Sequence, residues 1–333
     1  MARTALFVAL LVAAVAVVVP ALDRPRTDAP APGPGPTDGA PSGLAGLAGL
    51  ERRLATYATE VVADARYRPP DRAERETLAE GVALYVDGEH ARAARRLAEV
   101  DFGVRIVRDA PREVDGGRDG PGRRYAEIAD RTDETRRGWG RVYIDLDTAP
   151  RYSVQVPHPV ADAYTDRLGA GVLRAAPGGV LVIAGAHRRA GEGNAADVAH
   201  RRDTVFHAVT GELVARGLPA IQVHGYADRS VPGRDLVVST GAGTRARPQG
   251  RTLAGALGDD GFRVCRAWED ECPLEGRNNT QGRLAAAEGV PFLHVEVSRT
   301  VRDDAARTAR AVAAMATAVR EWGEPDESSP GAN

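Results

Sequence analysis

No lysine occurs anywhere in the chain; all 44 basic side chains are arginine. That absence excludes Schiff-base chemistry and a phosphate-cradling P-loop, both of which need a Lys amine. Alongside abundant Ala, Gly and Pro it reads as GC-rich codon usage, so a single Arg carries little functional signal. Aromatic residues make up 5% of the chain, which disfavours base stacking on single-stranded nucleic acid. Neither sign of charge prevails, with 44 basic against 46 acidic groups and a net charge of −2. No global field therefore recruits nucleic acid or an anionic membrane surface. No Gly-x-Ser-x-Gly elbow occurs, which weakens a serine-hydrolase reading. Only two cysteines are present, Cys265 and Cys272 in CRAWEDEC. A lone pair cannot close a structural zinc site, and in an oxidising compartment it is expected to form a small-loop disulfide.

Long apolar runs are also missing, with one exception. Arg3 followed by the uncharged stretch Ala5 to Val19, then Pro20 and Ala21, has the form of a secretory signal peptide or an N-terminal membrane anchor over 1–22. It predicts that the rest of the chain is extracytoplasmic, secreted or anchored and facing outward. Residues 23–49 are rich in Pro, Gly, Ala and Ser and read as a flexible linker. A helical segment over 50–100 is expected to pack on an α/β domain over 101–323, with a disordered tail at 324–333.

Within 50–100, Leu50 to Arg66 has helical spacing, and Glu74 to Val86 with Ala91 to Val100 predicts a helical hairpin broken at Asp87-Gly88. Gly103 to Arg108 alternates like a strand, and Asp115 to Gly122 reads as a loop. Beyond residue 140, apolar strand-like runs (142–146, 152–156, 180–184, 220–223, 236–239 and 292–297) alternate with helical stretches (161–175, 203–216, 252–257, 280–288 and 305–322). Such alternation predicts an α/β three-layer sandwich around a mixed, mostly parallel sheet. Ligands of such sheets gather beyond the carboxyl ends of the strands.

Three strand runs end in histidine: YSVQV before Pro157-His158, GVLVIAGA before His187-Arg188, and AIQV before His224. His158 is followed four residues later by Asp162, which a helix starting near Pro159 would set on the same side of its first turn, with Asp166 as the alternative carboxylate. Two His, one carboxylate and an open fourth position make the usual catalytic zinc arrangement. His158, Asp162 and His224 are therefore the expected metal ligands, and Zn²⁺ the expected cofactor. The last strand run carries Glu296 among apolar residues, where a carboxylate is costly to bury without a role. It is the expected general base. His294 shares its face by period-two alternation. Arg188 and Arg299 could hold a substrate carboxylate, with His187 beside them. Asn279 and Gln281, in RNNTQGR, could recognise an amide. Asp197 could orient a ligand His or an Arg.

In this order the pieces resemble the zinc-dependent amidohydrolase and exopeptidase superfamily, which includes N-formylglutamate amidohydrolases, N-acetylmuramoyl-L-alanine amidases and zinc carboxypeptidases. The resemblance covers about residues 140–322 and rests on His158 with Asp162, His224, and Glu296 near Arg299. It departs from the carboxypeptidase spacing His-x-x-Glu, since this chain has His-x-x-x-Asp. It implies a phosphorylase/hydrolase-like fold and metal-assisted cleavage of a C–N bond in a small-molecule or peptide substrate, such as a cell-wall peptide or an N-acylated amino acid. The alternatives are a metal-dependent phosphatase or esterase using the same cluster, and a non-catalytic surface-binding module.

Overall fold

The computed structural model describes residues 47, 49–63, 67–114, 118–120, 122–131 and 137–323. The expected signal segment, nearly all of the expected linker and the expected tail lie outside the described residues. No described helix is long and apolar enough to cross a membrane.

In chain order the elements are α1 (Gly49–Ala63), α2 (Arg72–Val86), α3 (His90–Ala98), β1 (Phe102–Arg108), β2 (Arg112–Val114), β3 (Arg118–Gly120), β4 (Arg124–Asp130), β5 (Arg141–Asp145), β6 (Tyr152–Val156), α4 (Thr165–Ala175), β7 (Gly179–Ile183), α5 (Val205–Ala215), β8 (Ala220–Tyr226), β9 (Leu236–Ser239), α6 (Arg247–Asp259), β10 (Val264–Arg266), α7 (Thr280–Ala287), β11 (Phe292–Ser298), α8 (Arg299–Asp303) and α9 (Ala305–Arg320). The helical hairpin is α2 and α3, and its first helix starts with a capping box between Asp71 and Glu74.

Nine strands form one mixed sheet in the order β1-β4-β5-β7-β6-β8-β11-β9-β10. Four neighbouring pairs are parallel and four antiparallel, so parallel pairing dominates only the centre rather than the whole sheet. Two of the four antiparallel pairs involve β4, RYAEIAD, which the sequence conceals because a charged Glu127 stands at its middle. Glu127 is fully buried there. Partners on three elements compensate it: Arg53 of α1 donates at 2.7 Å, Arg105 of β1 at 2.8 Å, and Arg141 of β5 lies 3.9 Å away. Part of the expected loop 115–122 is instead strand β3, paired with β2.

Alternation along the central strands divides the core. Val154 and Val156 of β6, Ile221 and Val223 of β8, and Leu293, Val295 and Val297 of β11 pack on one face with Leu54, Leu168, Leu253 and Met315 from α1, α4, α6 and α9. The opposite face carries α2, α3 and α5 through Leu78, Leu97 and Phe206, packed on Val180 and Val182 of β7. On that same face β6, β8 and β11 turn polar. Register sets Gln155 beside Gln222, Gln222 beside His294, and His224 beside Glu296.

The chain leaves β6 through α4 to β7 on one side, then returns through α5 to β8 on the other side. Because α4 and α5 cover opposite faces, a crevice opens beyond the carboxyl ends of β6 and β8. This is the topological switch point where open α/β sheets bind ligands.

Candidate metal centre

His158 lies two residues past β6, at that crevice. The helix expected from Ala161 starts only at Thr165, because Tyr164 takes a left-handed conformation, φ 73°, at the junction. Asp162 is therefore not on a helix. A single turn replaces it: the Asp162 N–H donates to the His158 carbonyl at 2.8 Å. That turn preserves the four-residue relation, and Asp162 Oδ2 lies 3.4 Å from His158 Nδ1. It also lies 3.3 Å from Nδ1 of His224 on β8. All three side chains are buried, and the two rings meet edge to face with centroids 5.1 Å apart.

The outer nitrogens of both rings decide what the inner ones can do. His158 Nε2 is 2.9 Å from Asp197 Oδ1. Asp197 can only accept, since it opposes its burial with hydrogen bonds from His158, His200 and Arg188 that hold its carboxyl far below the usual range. His224 Nε2 is 2.7 Å from Gln222 Oε1, also an acceptor. Each ring thus has an acceptor at Nε2 and turns Nδ1 toward the same carboxylate oxygen. Against its burial, Asp162 and Asp197 together raise the His158 imidazole above its usual value. His158 Nδ1 is buried with no hydrogen-bond partner. Lone pairs facing a carboxylate repel unless a proton or cation lies among them, so the donor set fits a divalent ion such as zinc. With protons at that point in place of a cation, hydrogen bonds from the two imidazoles hold the Asp162 carboxyl well below the ordinary value against its burial.

A second buried group, His224, His294 and Glu296, has ligand atoms equally close together. It shares His224, whose Nε2 is already paired with Gln222, so the two groups compete for its Nδ1. Burial, then the nearby Asp162 charge, pushes the Glu296 carboxyl well above its usual range. The His294 ring sits 4.7 Å from that of His224. Its imidazole is pushed well below the usual value, chiefly by burial and then by His224. Gly276 packs against this ring so closely that a Cβ there would stand 2.4 Å from it.

His158, His224, His294 and Glu296 line a cleft of about 590 Å³, with Arg188, His200, Asn279 and the loop 274–278 around them. Arg188 is anchored by a 2.7 Å bond to Asp197 Oδ2; Asp197 thus orients both a His and an Arg. His187 does not line this cleft, and its Nδ1 accepts from the Arg189 N–H at 3.2 Å. Asn279 caps α7 and donates to Gln222. Gln281 is fully buried behind it, bonded to the Val198 carbonyl at 2.9 Å. Arg299 is not brought to the cleft. It lines a separate cavity between α4, α8 and α9 and pairs with Asp303 at 2.7 Å. Asp166 is buried outside both groups, and burial lifts its carboxyl to about 6.

Two residues that sequence reasoning overlooked hold the centre together. Gln222 had a signal, being a polar residue two before His224 in an otherwise apolar strand. Arg302 had none among 44 arginines. It is buried and donates to the carbonyls of Val297 at 3.1 Å and Tyr226 at 3.0 Å, as well as to Ala163 in the turn that carries Asp162. One guanidinium thereby ties the ends of β8 and β11 to that turn. Cys265 and Cys272 form a disulfide next to the cleft loop.

A scan against protein-family models finds no match, and a search of curated proteins finds none. Solved structures show distant likeness. A gene product of Agrobacterium tumefaciens is 11% identical, with a TM-score of 0.39 over 57% of this chain and 95% of that one. A metallo-carboxypeptidase from Pseudomonas aeruginosa, in complex with (2-guanidinoethylmercapto)succinic acid, is 15% identical with a TM-score of 0.37, over 71% of this chain and 69% of that one. An aspartoacylase family protein from Mesorhizobium loti is 10% identical with a TM-score of 0.34, over 64% and 67%. Likeness this distant leaves the reaction to be argued from the side chains.

Proposed function

We propose that the protein is a zinc-dependent hydrolase of an amide or peptide bond, with His158, Asp162 and His224 as the metal ligands and Glu296 as the general base. The observation that carries this reading is the convergence of two buried imidazole Nδ1 atoms on one carboxylate oxygen. When bound, the ion supplies Lewis acidity, which polarises a carbonyl and lets water be deprotonated near neutral pH. Glu296 stands beside His224 in the sheet register. Its burial raises its proton affinity, so it can take a proton from attacking water and pass it to the leaving nitrogen. Arg188, held in place by Asp197, can pair with a substrate carboxylate through its remaining donors.

The cleft volume, about 590 Å³, suits a small substrate or one end of a peptide. With Arg188 at its wall, it favours an N-acylated amino acid or a short cell-wall peptide. The reading includes export, on the apolar run 5–19 and the close cysteine pair; a fusion lacking residues 1–22 is expected to stay in the cytoplasm. The test of the reaction is a panel of amide, ester and phosphoester substrates, with and without a chelator, beside elemental analysis of the purified chain. One equivalent of zinc and chelator-sensitive amide cleavage support the proposal. Turnover confined to phosphoesters, or no zinc bound, overturns it.

A further inference from the structure

His224 can offer Nδ1 to a cation only while its proton sits on Nε2. A relay of hydrogen bonds decides this, and it starts at the first turn of α7. The Gly282 N–H, one of the donors a helix leaves unpaired at its start, donates to Asn279 Oδ1 at 2.9 Å. The cap therefore leaves the Asn279 amide nitrogen facing Gln222, where it donates to Oε1. A donor on one side requires an acceptor on the other, so Gln222 must present its oxygen. That oxygen also lies 2.7 Å from His224 Nε2, and Nε2 must then be the donor. The Gln222 amide nitrogen points the opposite way, to Gln155 Oε1 at 2.9 Å, which seats the same orientation from the far side. Asn279, Gln222, Gln155 and His224 are all buried, so bulk water does not compete for these groups.

We propose that Asn279 and Gln222 are positioning residues that set the tautomer of His224, so that the helix cap of α7 determines which imidazole nitrogen is left bare. The purpose of the relay rests on His224 being a metal ligand; the tautomer itself is a property of the metal-free protein. Asn279→Asp keeps the shape and the cap but reverses the relay. The oxygen that replaces Nδ2 accepts, so Gln222 turns its nitrogen inward, and Gln155 can turn with it. His224 Nε2 must then accept, and its proton moves to Nδ1.

The experiment uses the full chain, metal-free and ¹⁵N-labelled at histidine. Long-range ¹H–¹⁵N spectra read the tautomer, and competition with a chromophoric chelator reads Zn²⁺ affinity. The parent is expected to show the Nε2–H form of His224. Asn279→Asp is expected to show the Nδ1–H form and to bind Zn²⁺ about 10- to 100-fold more weakly, the usual cost of losing a partner that orients a ligand. Gln222→Glu, which still accepts from both neighbours, should keep the parent tautomer and bind Zn²⁺ within a few-fold of the parent. Gln222→Leu leaves the cap intact and should lose the fixed tautomer, so it carries the test even where Asn279→Asp does not fold. A parent tautomer persisting in either Asn279→Asp or Gln222→Leu overturns the proposal. Tautomers that reverse as described in a protein binding no Zn²⁺ would leave the relay standing and remove the metal site instead.

Discussion

On the proposed reading, ligands and base differ in how they should fail. His158 and His224 each turn Nδ1 to the same Asp162 oxygen, so His158→Ala or His224→Ala should abolish stoichiometric zinc along with activity. Glu296→Gln keeps the volume and the hydrogen-bonding capacity but cannot accept a proton at neutral pH. It is expected to retain zinc by elemental analysis and to lose turnover by about 10²- to 10⁴-fold, the usual contribution of a positioned base. Loss of zinc in Glu296→Gln would instead make Glu296 a ligand. At this scale the sequence was informative about residues whose chemistry announces itself. A His at a strand end and a Glu inside an apolar strand are anomalies visible without coordinates. Arg302 was not visible, because its task of bonding three carbonyls from three segments depends on where the chain comes together. Arg299, three residues earlier and nearer the expected strand end, attracted the role and lies in a different cavity.

At the scale of elements, the centre depends on how strand ends are tied. Arg302 reaches the turn after β6 and the ends of β8 and β11, and Gly225 leaves it room, since a Cβ there would stand 2.5 Å from the guanidinium. Arg302→Met should strand those carbonyls in a buried site and cost about 2–4 kcal/mol, as leaving buried polar groups unsatisfied commonly does. It should also weaken Zn²⁺ binding, because the Asp162 turn loses its brace. Urea denaturation with a chelator titration reads both, and unchanged affinity would show the turn to be self-sufficient. The Cys265–Cys272 link should act differently. Cys265→Ser with Cys272→Ser is expected to lower stability by about 2–3 kcal/mol on the loop-entropy model. Boundaries were the least legible part of the elements. A continuous helical pattern concealed the left-handed Tyr164 that delays α4, and propensity gave no sign that β4 could bury Glu127, because its cationic partners come from α1, β1 and β5.

The whole molecule holds two kinds of buried carboxyl, and they act on stability in opposite directions as pH changes. Asp235 accepts from Arg263 at 2.9 Å through the backbone and pairs with Arg307 at 2.9 Å. Against its burial, these partners lower its carboxyl to about 2. An unfolded Asp titrates near 3.9, so the native state binds fewer protons there. Its contribution is full above that value and is lost as pH falls toward 2. The expected size is on the order of 1–2 kcal/mol, since exposed Arg263 is screened by solvent. Asp166 has the reverse sign. Burial raises its carboxyl to about 6, so the native state holds a proton that the unfolded chain has released. Asp166 therefore costs stability at pH 7, on the order of 1–3 kcal/mol, and that cost disappears as pH falls from about 6 toward 4. Between pH 7 and pH 5 this gain runs against the buried His207, His224 and His294, whose lowered imidazoles cost stability as the unfolded chain takes up protons. Asp166→Asn removes the raised group without changing its shape. It should increase stability over the parent at pH 7, and that advantage should shrink toward pH 5, while the acid limb stays in place. Urea midpoints across that range, with chelator present, provide the measurement. A variant no more stable than its parent at pH 7 would mean that Asp166 ionises in the fold without cost.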